Sequence, residues 1–228
     1  MTSFLSSLLF FFALLGLTLV VGMVSLWFRA RKRTRIAAVL RRYHEDSDLQ
    51  GLIQFVSGPR SNYLDLLEYL ENAEAFELAQ QVLEYHPLQE DAGRHLRVVA
   101  ARILVKQNVF PQALALIEPL VDAFPNDASI LEQAIHLALL AEQPEKAQQW
   151  LGPFQRLAHK GHRVQFFQAL LLAFQGKRDQ AIIHLEKIRD AECTLANNTL
   201  APLTKRQIQE QVKQTEYWIE RLGETNAN

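Results

Sequence analysis

The residues best suited to chemistry in this 228-residue chain are His159 and His162, which frame a short loop as His-Lys-Gly-His. Two imidazoles so spaced could grip a divalent cation. A catalytic zinc site, however, takes three protein ligands and a structural one four. No third ligand stands nearby in sequence, so a surface pair is the expectation. Cys193 is the only cysteine, which excludes a disulfide framework and a paired-cysteine metal site. Glu90 and Asp91 offer adjacent carboxylates, but in a stretch that reads as a turn, where solvated caps are expected. There is no glycine-rich phosphate loop, nucleophile elbow or His-Glu-x-x-His motif. The chain is therefore expected to bind rather than catalyse, with no cofactor, no metal and no small-molecule substrate.

Behind these residues lies a period. Ala79, Ala113, Ala147 and Ala181 follow one another at 34 residues. Four residues after each comes Leu83, Ile117, Leu151 or Leu185, and three further on His86, Leu120, Phe154 or Ile188. Positions i, i+4 and i+7 form one face of a helix. Twelve residues before each alanine stands Leu67, Ala101, Ile135 or Ala169, the candidate contact on a preceding helix. The small residue admits that helix closely, and the larger ones fill the next layer. His86 accordingly reads as a partly buried structural histidine.

On these residues the chain resembles the tetratricopeptide repeat (TPR) family, whose 34-residue unit is a helix-turn-helix. Pro125 stands where that family's helix-ending proline belongs, and Ser129 is the expected cap of the next helix. The family's first-helix Trp, Leu-Gly and Tyr signature is largely missing; Leu66 and Ala100 stand where its Leu would be. The resemblance covers residues 60–195 and implies four repeats: 60–93, 94–127, 128–161 and 162–195. In the first, helices are expected around Asn62–Glu71 and Ala73–His86. Pro111 and Pro144 open second helices, where a missing N–H costs least. Pro119 and Pro153, also 34 apart, imply either a shared mid-helix kink or an early end and restart.

The flanks complete an all-α architecture. Residues 1–28 read as a transmembrane anchor: Thr2 to Phe28 carry no charge, and Phe4–Phe28 spans roughly 37 Å as a helix. No basic residue precedes the apolar run and no small-residue cleavage pattern follows it, which argues against a cleaved leader. Arg29, Arg31, Lys32, Arg33 and Arg35 flank it instead, and place the N-terminus outside and the repeats in the cytoplasm. Arg41 and Arg42 extend the basic run, for which a topology signal and lipid-headgroup contact are the two readings. Residues 29–59 form a basic juxtamembrane helix to about His44, a break at Glu45–Asp48, and a short helix over Leu49–Val56. From Tyr43 onward 17 Lys and Arg face 25 Asp and Glu, a net of −8 that disfavours nucleic acid. Residues 196–228 hold a loop, a helix over Leu203–Leu222 with Thr204 as cap, and a polar tail. That helix is expected to cover the open end of the stack.

The TPR resemblance also implies a partner-binding groove lined by first helices. Its positions here are Leu64 and Glu68; Val98, Arg102 and Lys106; Glu132 and His136; and Arg163, Phe166 and Leu170. Phe166 would anchor, and Arg102 and Arg163 would meet carboxylates of an amphipathic segment. The asparagines of the family's carboxylate clamp are absent. In layout the chain is similar to bacterial inner-membrane TPR proteins with one N-terminal anchor, without the four-cysteine module some of them carry. The expectation is a membrane-anchored scaffold for protein–protein interaction. The alternatives are a structural subunit of a larger membrane complex, or an accessory translocation or folding factor on the outer side.

Overall fold

The computed structural model describes residues 27, 30, 31, 33–43, 49–88, 92–158, 161–199 and 201–224. These are helical apart from short connections: α1 (33–43), α2 (Leu49–Val56), α3 (Arg60–Asn72), α4 (Phe76–Tyr85), α5 (Arg94–Lys106), α6 (Phe110–Ala123), α7 (Ala128–Leu140), α8 (Pro144–Ala158), α9 (His162–Phe174), α10 (Arg178–Asn198) and α11 (Pro202–Glu224). Apart from Trp27, the expected membrane helix lies outside the described residues, as do Arg29, Lys32, His44, the break at Glu45–Asp48, Glu90, Asp91 and His159. Among the described residues no helix is long and apolar enough to cross a membrane.

The 34-residue period governs the boundaries. First helices begin at Arg60, Arg94, Ala128 and His162, and second helices at Phe76, Phe110, Pro144 and Arg178. All four repeat alanines are fully buried, and so are their partners Leu67, Ala101, Ile135 and Ala169. Each hairpin turns on a residue of positive φ: Glu74 at 56°, Asn108 at 58°, Glu142 at 57° and Gly176 at 81°. The next N–H closes the helix end by donating to a carbonyl five residues back, as from Ala75 to Leu70 and from Lys177 to Leu172. Only the fourth turn carries glycine, for which this conformation is free of Cβ strain. Glu74→Gly is expected to raise unfolding free energy by about 1 kcal/mol, and Gly176→Ala to lower it comparably. Urea titration of the two variants checks the pair.

Several sequence expectations need correction. The second helix of the first repeat starts at Phe76, because Ala73–Ala75 form the turn. Asp127, rather than Ser129, caps α7: its Oδ1 accepts from the N–H groups of Ser129 and Ile130 at 2.9 and 3.2 Å. A carboxylate one residue before the helix reaches both orphan donors, which a hydroxyl inside the first turn cannot. Helices α6 and α8 run through Pro119 and Pro153, so early termination is excluded. Thr204 lies inside α11, which starts at Pro202, and α10 continues past residue 195 to Asn198.

The chain divides into two compact units, residues 1–99 and 100–228, with the division inside α5. In the first, α3 packs on α2 and α4 around Leu52, Leu66, Leu67 and Leu70. Tyr63 is buried there, donates to the His86 carbonyl at 2.5 Å and meets that imidazole edge-on at 5.2 Å. Burial pushes its phenol pKa up. In the second unit every helix from α6 to α11 packs on its chain neighbours, α9 also touching α7 and α11. The aromatic core is Phe154, Phe166, Phe167 and Trp218.

Candidate functional site

The expected groove residues fall into two sets. Leu64 and Glu68 of α3 and Val98 of α5 belong to the first unit and are half-buried. Glu68 accepts or shares a proton with the exposed His95, Oε1 to Nε2 at 2.8 Å. Glu68 also lines a cavity of about 780 Å³ between α1 and α3, with Arg33, Asp65 and Tyr69. Arg102, Lys106, Glu132, His136, Arg163, Phe166 and Leu170 belong to the second unit. Arg102 and Lys106 are exposed on α5.

In the second unit the structure brings Glu132, His136, Arg163 and Phe166 into one cluster. Arg163 Nε donates to Glu132 Oε1 at 2.7 Å, linking α9 to α7. Its Nη2 donates to Gln214 Oε1 on α11 at 3.1 Å. The guanidinium lies 4.6 Å over the Phe166 ring and 5.1 Å over that of Phe167. His136 approaches both rings at 6.5 Å. Burial, and then the Arg163 charge, lower the His136 pKa to about 3, which keeps the ring neutral.

This geometry corrects three groove assignments. Phe166 and Leu170 are fully buried and belong to the core, so neither is a surface anchor. Arg163 exposes 13% of its side chain and is already engaged by Glu132 and Gln214, so it is not placed to meet a partner's carboxylate. The physical cause is α9 itself. Val164, Phe166, Phe167, Ala169, Leu170, Leu171 and Ala173 are all buried, and the exposed side of the helix is the narrow polar stripe of His162, Gln165 and Gln168. A helix with so wide an apolar surface is enclosed on most of its sides, and Phe166 and Leu170 lie within that surface. That signal stands in the sequence His162–Phe174, whereas the groove positions came from the family's pattern.

Enclosure is completed by α11. Arg221 near its end reaches Glu142 in the α7–α8 turn at 3.3 Å, and its guanidinium lies 5.1 Å over the Trp218 ring. Thr215 donates to Glu192 Oε2 of α10 at 3.2 Å. Glu192 is 1% exposed, and burial raises its carboxyl pKa against the opposing effects of Thr215, Arg163 and His162. Among the described residues Glu192 Oε1, Arg163 Nη1 and Trp218 Nε1 have no hydrogen-bond partner. Sequence reasoning missed Gln214, Glu192 and Phe167, since nothing in their spacing marks a contact between helices 20 to 50 residues apart.

Little points to chemistry. His162 and His184 line a second cavity, of about 470 Å³, between α9 and α10, with Lys187 beside them. Among the described residues no three His, Cys, Asp or Glu are grouped to hold a metal. Cys193 is a half-buried free thiol.

No family model matches the chain, and no curated protein does. Solved structures similar to it include MamA (41-end) from Desulfovibrio magneticus RS-1, at 18% identity and TM-score 0.48, covering 72% of this chain and 95% of that one. Another is a tetratricopeptide repeat protein from Parabacteroides merdae ATCC 43184, at 11% identity and TM-score 0.48, covering 84% of this chain and 76% of that one. MamA MSR-1 is similar at 14% identity and TM-score 0.44, covering 72% and 96%.

Proposed function

We propose that this chain is a non-enzymatic scaffold that holds another protein against the first helices of its repeats, at the cytoplasmic face of a membrane to which residues 4–28 anchor it. The carrying observation is the fourfold hairpin on one 34-residue register, with first and second helices each repeating their start points. Repeated hairpins offer surface, and the cluster of Glu132, His136 and Arg163 is engaged in internal contacts. The basic flank from Arg29 to Arg42 supports the cytoplasmic placement through the positive-inside rule.

With the last first-helix face closed by α11, the docking surface moves toward α5. Arg102 and Lys106 stand exposed four residues apart there. Such a stripe suits a segment bearing carboxylates on one side. Arg102→Glu with Lys106→Glu should leave the circular dichroism spectrum unchanged and reduce partner recovery by tenfold or more, about 1.4 kcal/mol. A photo-crosslinker at Lys106 in cells identifies the partner directly. Undiminished recovery by the charge-reversed variant would remove α5 from the interface. Strong phosphatase activity of a C-terminal alkaline phosphatase fusion would reverse the topology. A single stoichiometric complex would favour a structural subunit over an adaptor.

A further inference from the structure

The basic flank reads in sequence as a run of charges, but α1 sorts them by face. Ile36 and Leu40 are buried, and Tyr43 beside them donates to Gln81 Oε1 on α4 at 3.1 Å. Arg33 turns toward the cavity shared with α3. On the opposite side Arg31, Arg35, Ala38 and Arg42 follow at spacings of four, three and four, which is one stripe of a helix, and all four are exposed. Arg31 lies 5.2 Å over the ring of Trp27, which is 55% exposed four residues earlier. Among the described residues no carboxylate pairs with Arg31, Arg35 or Arg42.

We propose that this Trp27–Arg31–Arg35–Arg42 stripe is a lipid-binding surface that lays α1 flat along an anionic leaflet, so that the helix is no upright stalk. The inference rests on the anchored reading above. Two observations select lipid over an acidic protein. The stripe begins at Trp27, at the end of the uncharged apolar stretch that closes with Phe28, and continues into the charges that follow, so its first residues stand at headgroup level. It also begins with an exposed tryptophan stacked under an arginine, the pairing of amphipathic ring and cation that membrane interfaces favour. Geometry sets the orientation. Arg35 and Arg42 are separated by about 10 Å along the axis of α1. A Debye length is about 8 Å at physiological salt, so an upright helix would lift Arg42 beyond the leaflet's field. Lying flat, with Ile36 and Leu40 turned to the protein, the helix brings all three arginines to the headgroups.

The test uses the full chain with Cys193→Ser and Ala38→Cys, labelled with a fluorophore and reconstituted in nanodiscs. One set is phosphatidylcholine alone and the other includes phosphatidylglycerol; both carry a headgroup-located spin quencher. A flat α1 gives quenching at position 38 that is about twofold stronger in the anionic discs and is lost in high salt. Arg35→Gln with Arg42→Gln should abolish the lipid dependence while the chain stays in the disc. Equal quenching in both lipids, or a difference that survives the double substitution, would overturn the lipid surface and leave the anchor standing. Failure of the chain to enter discs at all would overturn the anchor, and this inference with it.

Discussion

Ala147→Glu is expected to destabilise the second unit by about 4 kcal/mol or more, enough to remove most of the stability of a typical domain. Ala147 has no exposed surface, and it sits where α8 closes on α7. Ile135 on α7, twelve residues earlier and itself fully buried, is the candidate neighbour. A carboxylate there must be desolvated, and its extra volume must separate two helices. Gln148→Glu, one residue on and exposed, is the control and should stay within about 0.5 kcal/mol of the parent. Urea unfolding followed by circular dichroism reads both. Equal stability of the two variants would mean the alanines do not mark the packing seam. The same contrast is expected at Ala113 and Ala181, because the period rather than the local sequence sets the burial.

That contrast also shows which features were legible beforehand. The alanine spacing located every hairpin from Ala79 to Ala181, and α2 has the Leu49–Val56 bounds expected of it. Packing seams recur because each repeat solves the same steric problem with the same residue sizes. The turn register was partly hidden, since three of the four positive-φ positions carry Glu or Asn in place of glycine. Composition does not betray a strained turn that its hydrogen bonds over-determine. The groove was least legible. Its positions assume an open concave face, whereas α11 supplies Gln214 to Arg163 and Arg221 to Glu142. Such contacts depend on where a terminal helix lands, and only the wide apolar surface of α9, interrupted by His162, Gln165 and Gln168, hinted that something covers much of it. For the same reason the exposed residues worth testing for a partner lie on α5, away from the aromatic pair of Phe166 and Phe167.

The buried cluster around Arg163 should make the stability of the second unit depend on pH with two opposite contributions. His136 is held neutral: its pKa falls from 6.5 to about 3, by burial first and the Arg163 charge second. The unfolded chain therefore binds a proton near pH 6.5 that the folded chain refuses until about pH 3. Stability from this group is complete above 6.5 and is lost as pH falls through that window, by a few kcal/mol in all. Glu192 acts the other way. Its carboxyl pKa is raised by burial, so the folded state holds a proton more tightly than the unfolded one. Its contribution is complete below the ordinary value of 4.5 and is lost as pH rises past it. His136→Phe keeps an aromatic ring beside Phe166 and Phe167, and should flatten the loss of stability between pH 6.5 and 4. Glu192→Gln should leave acid stability unchanged and raise stability at neutral pH, since no ionised carboxylate then faces the core. Chemical denaturation at a series of pH values separates the two, because the histidine variant changes the acid limb and the glutamate variant the neutral one. If both variants keep the parent's pH profile, His136 and Glu192 are not desolvated in the folded chain and the cluster is open to water. If the histidine effect alone appears, His136 is desolvated between α7 and α9 while Glu192 of α10 stays hydrated beside α11.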